Sequence, residues 1–120
     1  MTTPYRTGEG EAARVTLDDA LQRVPERADG LRHALVLEHG TMRALMYAPR
    51  GRDPQDPHPQ DEVYVVMRGS GTFVAGERRM DFAPGDLLFV PAGMEHRFED
   101  FSDDLAVWVV FYGVEGGERP

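Results

Sequence analysis

Glycine and proline punctuate most of this chain closely, as a fold of many short strands requires. Thirteen glycines and nine prolines are a heavy load of breakers for 120 residues and divide most of the chain into short segments. Between these breaks the apolar residues alternate with period two, the pattern of strands that each bury one face. Leu35 to Glu38 and Thr41 to Tyr47 read as strands around a His39-Gly40 turn. A loop rich in proline and charge follows over 49–57. Strands are then expected at Glu62 to Met67, Thr72 to Ala75, Arg78 to Phe82, Asp86 to Val90, His96 to Phe98 and Leu105 to Tyr112. The turns between them are Arg68-Gly69-Ser70-Gly71, Gly76-Glu77, Pro84-Gly85 and Pro91-Ala92-Gly93. Gly69-Ser70-Gly71 joins two strands with no helix behind it, so it is a turn and not a phosphate loop. One early segment is helical: Thr16 is an N-cap for Leu17 to Leu21, with Asp19 in the place where a capping box wants an acid. Pro25 ends it, and Asp29-Gly30 makes a turn. This many short strands favours an all-β sandwich or barrel with a short N-terminal helix. The segments 2–10 and 113–120 read as frayed tails.

Charge and composition remove several function classes. Thirteen basic against 21 acidic residues give a formal net charge of −8. A nucleic-acid backbone or an anionic membrane surface as main partner needs a basic patch instead. No apolar run approaches the length that crosses a bilayer, and the polar N-terminus lacks the apolar core of a secretory signal. A cytoplasmic protein is the expectation. Cysteine is absent, so disulfides, thiolate metal sites and cysteine nucleophiles are excluded. Any metal must be held by histidine, carboxylate, amide or water.

Two strands are apolar on both faces. Leu105, Val107, Val109 and Phe111 alternate with Ala106, Trp108, Val110 and Tyr112; Val63, Val65 and Met67 alternate with Tyr64 and Val66. Such strands need cover on both sides. The N-terminal segment or a second subunit would supply it, and a homodimer is the expected supplier.

Four histidines carry the candidate chemistry: His33, His39, His58 and His96. His33 and His39 have no acidic or imidazole partner at useful spacing and read as ordinary polar residues. In an extended chain Asp56, His58, Gln60 and Glu62 share one face. His96 opens a later strand, with Phe98 on its face. Two imidazoles and a carboxylate from separate segments make a minimal metal-binding set, the arrangement of mononuclear Fe(II) oxygenase sites, which Mn, Ni, Co or Zn also fill.

The spacing around these residues resembles the two motifs of the cupin superfamily. Gly51-x4-Asp56-x-His58-x3-Glu62-x6-Gly69 parallels the first, G-x5-H-x-H-x3,4-E-x6-G. Asp56 stands where the first histidine would be, one residue early. Gly85-x5-Pro91-x-Gly93-x2-His96-x3-Asp100 parallels the second, G-x5-P-x-G-x2-H-x3-N, with Asp100 for the asparagine. The resemblance spans about Leu35 to Tyr112. It implies a small antiparallel β-barrel of the double-stranded, jelly-roll-like kind over 35–113, after an N-terminal extension over 1–34 and before a tail over 114–120.

Carried over, His58, Glu62 and His96 are the implied metal ligands, with Asp56 and Gln60 as further candidates. The implied cofactor is one divalent transition metal, Fe(II) or Mn(II) favoured and Ni, Co or Zn alternative. Tyr64, Val66 and Phe98 share parity with the ligands and are expected to line the cavity, joined by Trp108 if its face is the inner one. Tyr64 would position a substrate oxygen and Glu62 would act as base. Arg43 would bind a substrate carboxylate if its face is interior. The implied function is a dioxygenase-like or isomerase-like enzyme acting on a small organic molecule. The alternative is a metal- or small-ligand-binding module without turnover.

Overall fold

The computed structural model describes residues 5–6, 10–26 and 32–120. The expected Asp29-Gly30 turn lies outside them. The helix α1, Leu17–Arg23, forms as its residues dictate: Thr16 Oγ1 accepts from the Asp19 N–H at 3.1 Å, and two acids occupy the first turn. It stops two residues before Pro25.

Two antiparallel sheets form the rest. Strand β1 is Tyr5–Arg6, and β2 and β3 are His33–His39 and Met42–Tyr47. Then come β4, Asp61–Arg68; β5, Gly71–Ala75; β6, Arg78–Phe82; β7, Leu87–Val90; β8, His96–Glu99; and β9, Ala106–Tyr112. The larger sheet has the order β1-β2-β3-β9-β4-β7, and the smaller β6-β5-β8. Among the described strands only β1 pairs in parallel, on β2. That pairing gives part of the expected N-terminal tail a fixed place.

The two sheets close on one core, in which Tyr64, Val66, Phe73, Phe98 and Val107 are each at most 2% exposed. Leu105, Val107, Val109 and Phe111 face that core, as the alternation requires. The opposite side of the sheet packs on α1: Ala20, Val24, Val36, Met46 and Ala106 form a second cluster, with Trp108 against it. Trp108 therefore belongs to the outer layer and does not line the inner cavity. The extension supplies cover over that part of the sheet. Over β4 and β7 it does not reach, and Leu87 and Phe89 stay 68% and 52% exposed.

Two turns explain their residues. Gly69 has φ +91, and a Cβ there would stand 2.7 Å from Leu105 Cα, so the turn tolerates no side chain. Asp100 is the non-glycine residue with positive φ among those described, at 50°. Aspartate shares with asparagine a tolerance for that conformation, which is why the substitution in the second motif costs the fold little.

The C-terminal tail is not frayed, contrary to expectation. The Gly116 N–H donates to the Pro59 carbonyl at 2.7 Å, and the Glu118 N–H to Asp61 Oδ2 at 2.7 Å. The buried Asp61 carboxylate also accepts from the Ala92 N–H at 2.9 Å. One side chain thus fastens the tail, the start of β4 and the turn before His96.

Candidate metal centre

Three segments deliver the candidate ligands. Strand β4 carries Glu62 and, two residues on, Tyr64, both facing inward. Strand β8 opens with His96. His58 comes from the loop before β4, and its carbonyl accepts from the Gly93 N–H at 2.8 Å. The proline-glycine turn that aims His96 inward is therefore also tied to the backbone of His58.

His58, Glu62 and His96 each offer a ligand atom, and these atoms lie within 4.8 Å of one another. His96 Nε2 is 2.8 Å from Glu62 Oε1 and 3.0 Å from the Tyr64 hydroxyl. Its Nδ1 donates to the Met94 carbonyl at 2.9 Å, which leaves Nε2 as the atom that faces the cluster. The His58 and His96 rings are 5.5 Å apart, and His58 packs edge-on to Phe111 at 4.7 Å.

The electrostatics separate the two imidazoles. Burial lowers the His58 pKa, Glu62 opposes this, and the charges of His96 and Arg43 add to the lowering. His58 is held neutral, the form a metal needs. For His96 burial acts the same way, but the hydrogen bond and charge of Glu62 outweigh it, and the pKa is raised. The proton so retained at His96 is the one a metal cation would displace. Tyr64 is raised well above its ordinary range, by burial first and then by Glu62 and Asp53. It stays a phenol and donates.

Whether this set fits a divalent ion is tested by Glu62 itself. Its Oε2 is fully buried and has no hydrogen-bond partner. A buried carboxylate oxygen without a partner carries a large desolvation cost. Two imidazole nitrogens nearby, one neutral, complete a donor set that a divalent cation satisfies. The residues fit the ion.

The remaining predicted residues divide. Asp56 is exposed and outside the cluster. Gln60 spends its amide elsewhere, donating to the Gly113 and Thr41 carbonyls at 2.8 and 3.1 Å and accepting from Arg43 at 3.2 Å. The expected shared face of 56–62 fails because the chain bends at 59–60 and becomes a strand only at Asp61. Val66 and Phe98 are core residues packed with Phe73 and Tyr64.

A cavity of about 360 Å³ opens beside the cluster, lined by Leu45, Tyr47, Pro54, Val109, Phe111, Gln55 and His58, with His33, Arg43 and Asp56. Arg43 is exposed, its guanidinium 4.9 Å from the centre of the Phe111 ring. A larger cavity of about 420 Å³ beside α1 is lined by Arg32, Arg50 and Arg68 together with Glu26, Asp103 and Asp104. Opposite charges balance there, and no ligand cluster adjoins it.

Sequence reasoning missed Asp53 and Gln55. Asp53 accepts from the Tyr47 hydroxyl, from the Phe98 N–H at 2.9 Å, and from both the backbone N–H and the side-chain amide of Gln55, at 3.2 and 2.7 Å. Both sit in a loop that looks solvated by composition. The one available signal was a short acid between prolines, a residue type that fixes loops by accepting backbone N–H groups. His33, set aside in the sequence, lines the cavity mouth.

The Cupin domain family model matches residues 44–112, more than half of the chain and spanning β4 through β9. This chain belongs to the cupins. An uncharacterized protein of Streptomyces coelicolor is 39% identical over 110 residues, which cover 89% of this cupin and 92% of that protein. Among solved structures, a cupin 2 conserved barrel domain protein from Salinispora arenicola has a TM-score of 0.63 at 17% identity, covering 88% of this chain and 91% of its own. KdgF from Halomonas sp. has a TM-score of 0.63 at 16% identity, covering 73% and 84%. At such identities the structural likeness establishes the fold. Cupins commonly bind a divalent metal and small-molecule ligands. No helix among the described residues is long and apolar enough to cross a membrane.

Proposed function

We propose that this cupin is a mononuclear metal enzyme acting on a small organic molecule, with His58, Glu62 and His96 as ligands. The observation that carries the reading is the buried Glu62 Oε2, unpartnered among the described residues, on a carboxylate that shares a cluster of ligand atoms within 4.8 Å with two imidazoles. Two imidazoles and a carboxylate suit Fe(II) or Mn(II), with Ni, Co or Zn as alternatives. A bound ion would act there as Lewis acid and template for dioxygenase-like or isomerase-like chemistry.

The protein's own groups have distinct parts. Tyr64 keeps its proton, which it donates to Gln55 Oε1, and its hydroxyl, 3.0 Å from His96 Nε2, is the candidate positioning group for a substrate oxygen. Glu62 is the candidate base, should its carboxylate leave the ion. Arg43 at the cavity mouth is the candidate anchor for a substrate carboxylate, with Leu45, Val109 and Phe111 as apolar walls. Elemental analysis of purified protein should find about one transition metal per chain, lost in His58→Ala and His96→Ala. Metal content unchanged in both variants would overturn the assignment. Oxygen uptake with enols, thiols or catechols separates an enzyme from the alternative, a binding module without turnover.

A homodimer in the cytoplasm remains part of this reading. Strand β7 is the last in its sheet, and its Leu87 and Phe89 are exposed beside Val65 and Val63 of β4. A free edge next to an apolar strip is self-complementary about a two-fold axis. Light scattering should give a dimer mass for the wild type and a monomer mass for Phe89→Lys.

A further inference from the structure

We propose that Gln55 supplies a fourth protein ligand to the metal through its side-chain carbonyl, in the role the sequence motif offers to Asp56. The inference rests on the metal reading of His58, Glu62 and His96. A carboxamide has two different ends, and here their orientation is set. Gln55 Nε2 donates to Asp53 Oδ2 at 2.7 Å, and the Gln55 backbone N–H donates to Asp53 Oδ1 at 3.2 Å. Asp53 itself is fixed by the Tyr47 hydroxyl and by the Phe98 N–H at 2.9 Å. With the amide nitrogen committed to a carboxylate, Oε1 faces the other way.

On that side lie the cluster residues. Gln55 Oε1 is 3.5 Å from His58 Nε2, and it accepts from the Tyr64 hydroxyl at 3.1 Å. That hydroxyl is in turn 3.0 Å from His96 Nε2. The carbonyl oxygen is thus within reach of a His58 ring nitrogen directly and of His96 Nε2 through a single phenol. Asp56, the next residue, is exposed and followed by Pro57. A hard, neutral amide oxygen beside two imidazoles and one carboxylate makes a donor set for a divalent ion. It leaves that ion with a net positive charge that a second carboxylate would cancel.

The test is Co(II) titration of chelator-stripped protein, followed by visible absorption and calorimetry. The variants are Gln55→Leu, Gln55→Asn and Asp56→Asn. Gln55→Leu removes the oxygen, and Gln55→Asn withdraws it by one methylene with little disturbance to the loop. Both should alter the ligand-field bands and weaken Co(II) binding at least about tenfold, the scale on which even outer-shell partners act. Asp56→Asn should leave bands and affinity as in the wild type. Wild-type bands and affinity in Gln55→Asn, or a loss in Asp56→Asn instead, would overturn the proposal while leaving the three-ligand site intact. Failure of the wild type to bind Co(II) would overturn the three-ligand site, and the fourth ligand with it.

Discussion

Replacing Glu62 by glutamine should reverse the sign of the pH dependence that His96 gives to folding. In metal-free wild type, burial pushes the His96 pKa down and the Glu62 carboxylate, 2.8 Å from Nε2, pushes it up further. The side chains are 0% and 1% exposed, so neither effect is screened by water. The folded pKa lies above the unfolded value of 6.5. His96 therefore stabilises the fold fully below pH 6.5, and that stability is lost as pH rises through the raised pKa. Between the two values the native state binds more protons than the unfolded state, so stability falls as pH rises there, with about −1.4 kcal/mol per pH unit as the limiting slope.

Glutamine keeps the shape of Glu62 and removes its charge, leaving burial, the largest influence on His96, opposed only by the Met94 hydrogen bond and the charge of Asp53. The folded pKa should fall below 6.5, and the slope should become positive between the new folded value and 6.5. Stability would then be present above pH 6.5 and lost as pH falls through the lowered pKa. Above the wild-type pKa the variant should be at least as stable as the wild type, because it is relieved of a buried carboxylate oxygen that has no hydrogen-bond partner. Below pH 6 it should be less stable by about 3 kcal/mol, at the lower end for breaking a buried pair. Urea unfolding from pH 5 to 9 in the presence of a chelator measures the slopes, and NMR titration of the His96 ring measures the pKa. A His96 pKa in Glu62→Gln equal to or above that of the wild type would refute the reasoning.

Three further outcomes are expected. Asp61→Ala should destabilise the protein by about 3 kcal/mol, since two backbone N–H groups lose a charged acceptor; urea unfolding would read it, and amide exchange should rise at Ala92 and Glu118. Gly69→Ala should cost more than about 2 kcal/mol, from a positive φ and a Cβ placed 2.7 Å from Leu105 Cα. Removal of bound metal by a chelator should lower the melting temperature, because ligand at about a thousand times its dissociation constant stabilises by about 4 kcal/mol; the same chelator should leave the melting temperature of His96→Ala unchanged.

Much of the fold could be read from the chain, for a physical reason. Period-two alternation is local, and glycine or proline marks nearly every turn, so β3 through β9 begin and end within about two residues of where the pattern puts them. The N-cap at Thr16 is just as local. What alternation does not record is which outer face gets covered. Ala106 and Trp108 look alike whether α1 or a second subunit lies over them, because the partner is remote in sequence. The parity argument for 56–62 failed for the same reason in reverse. It assumed an extended chain where Pro57, Pro59 and the bend at 59–60 interrupt it, and so it aligned Asp56 and Gln60 with a strand they do not belong to.

The candidate site divides along the same line. His58, Glu62 and His96 were legible because residue type and spacing mark them. The groups that hold them in place were not, because Asp53, Asp61 and Gln60 act on backbone atoms and on residues far along the chain. Asp53 joins the 50s loop to β8 through the Phe98 N–H, Asp61 joins the start of β4 to the turn before His96, and Gln60 joins β3 to the end of β9. Each is a polar side chain in a tract that composition alone assigns to solvent. A β-barrel needs its interior apolar to close, so it has few inward positions to spend on polar support. The support is therefore drawn from the loops at the mouth, where a short side chain can accept an N–H and still meet water. In a chain of net charge −8, some of the acids are then ties for the site rather than solvated surface, and replacing Asp53 or Asp61 with a neutral residue should disturb His96 more than the loss of any acid in the 99–104 loop.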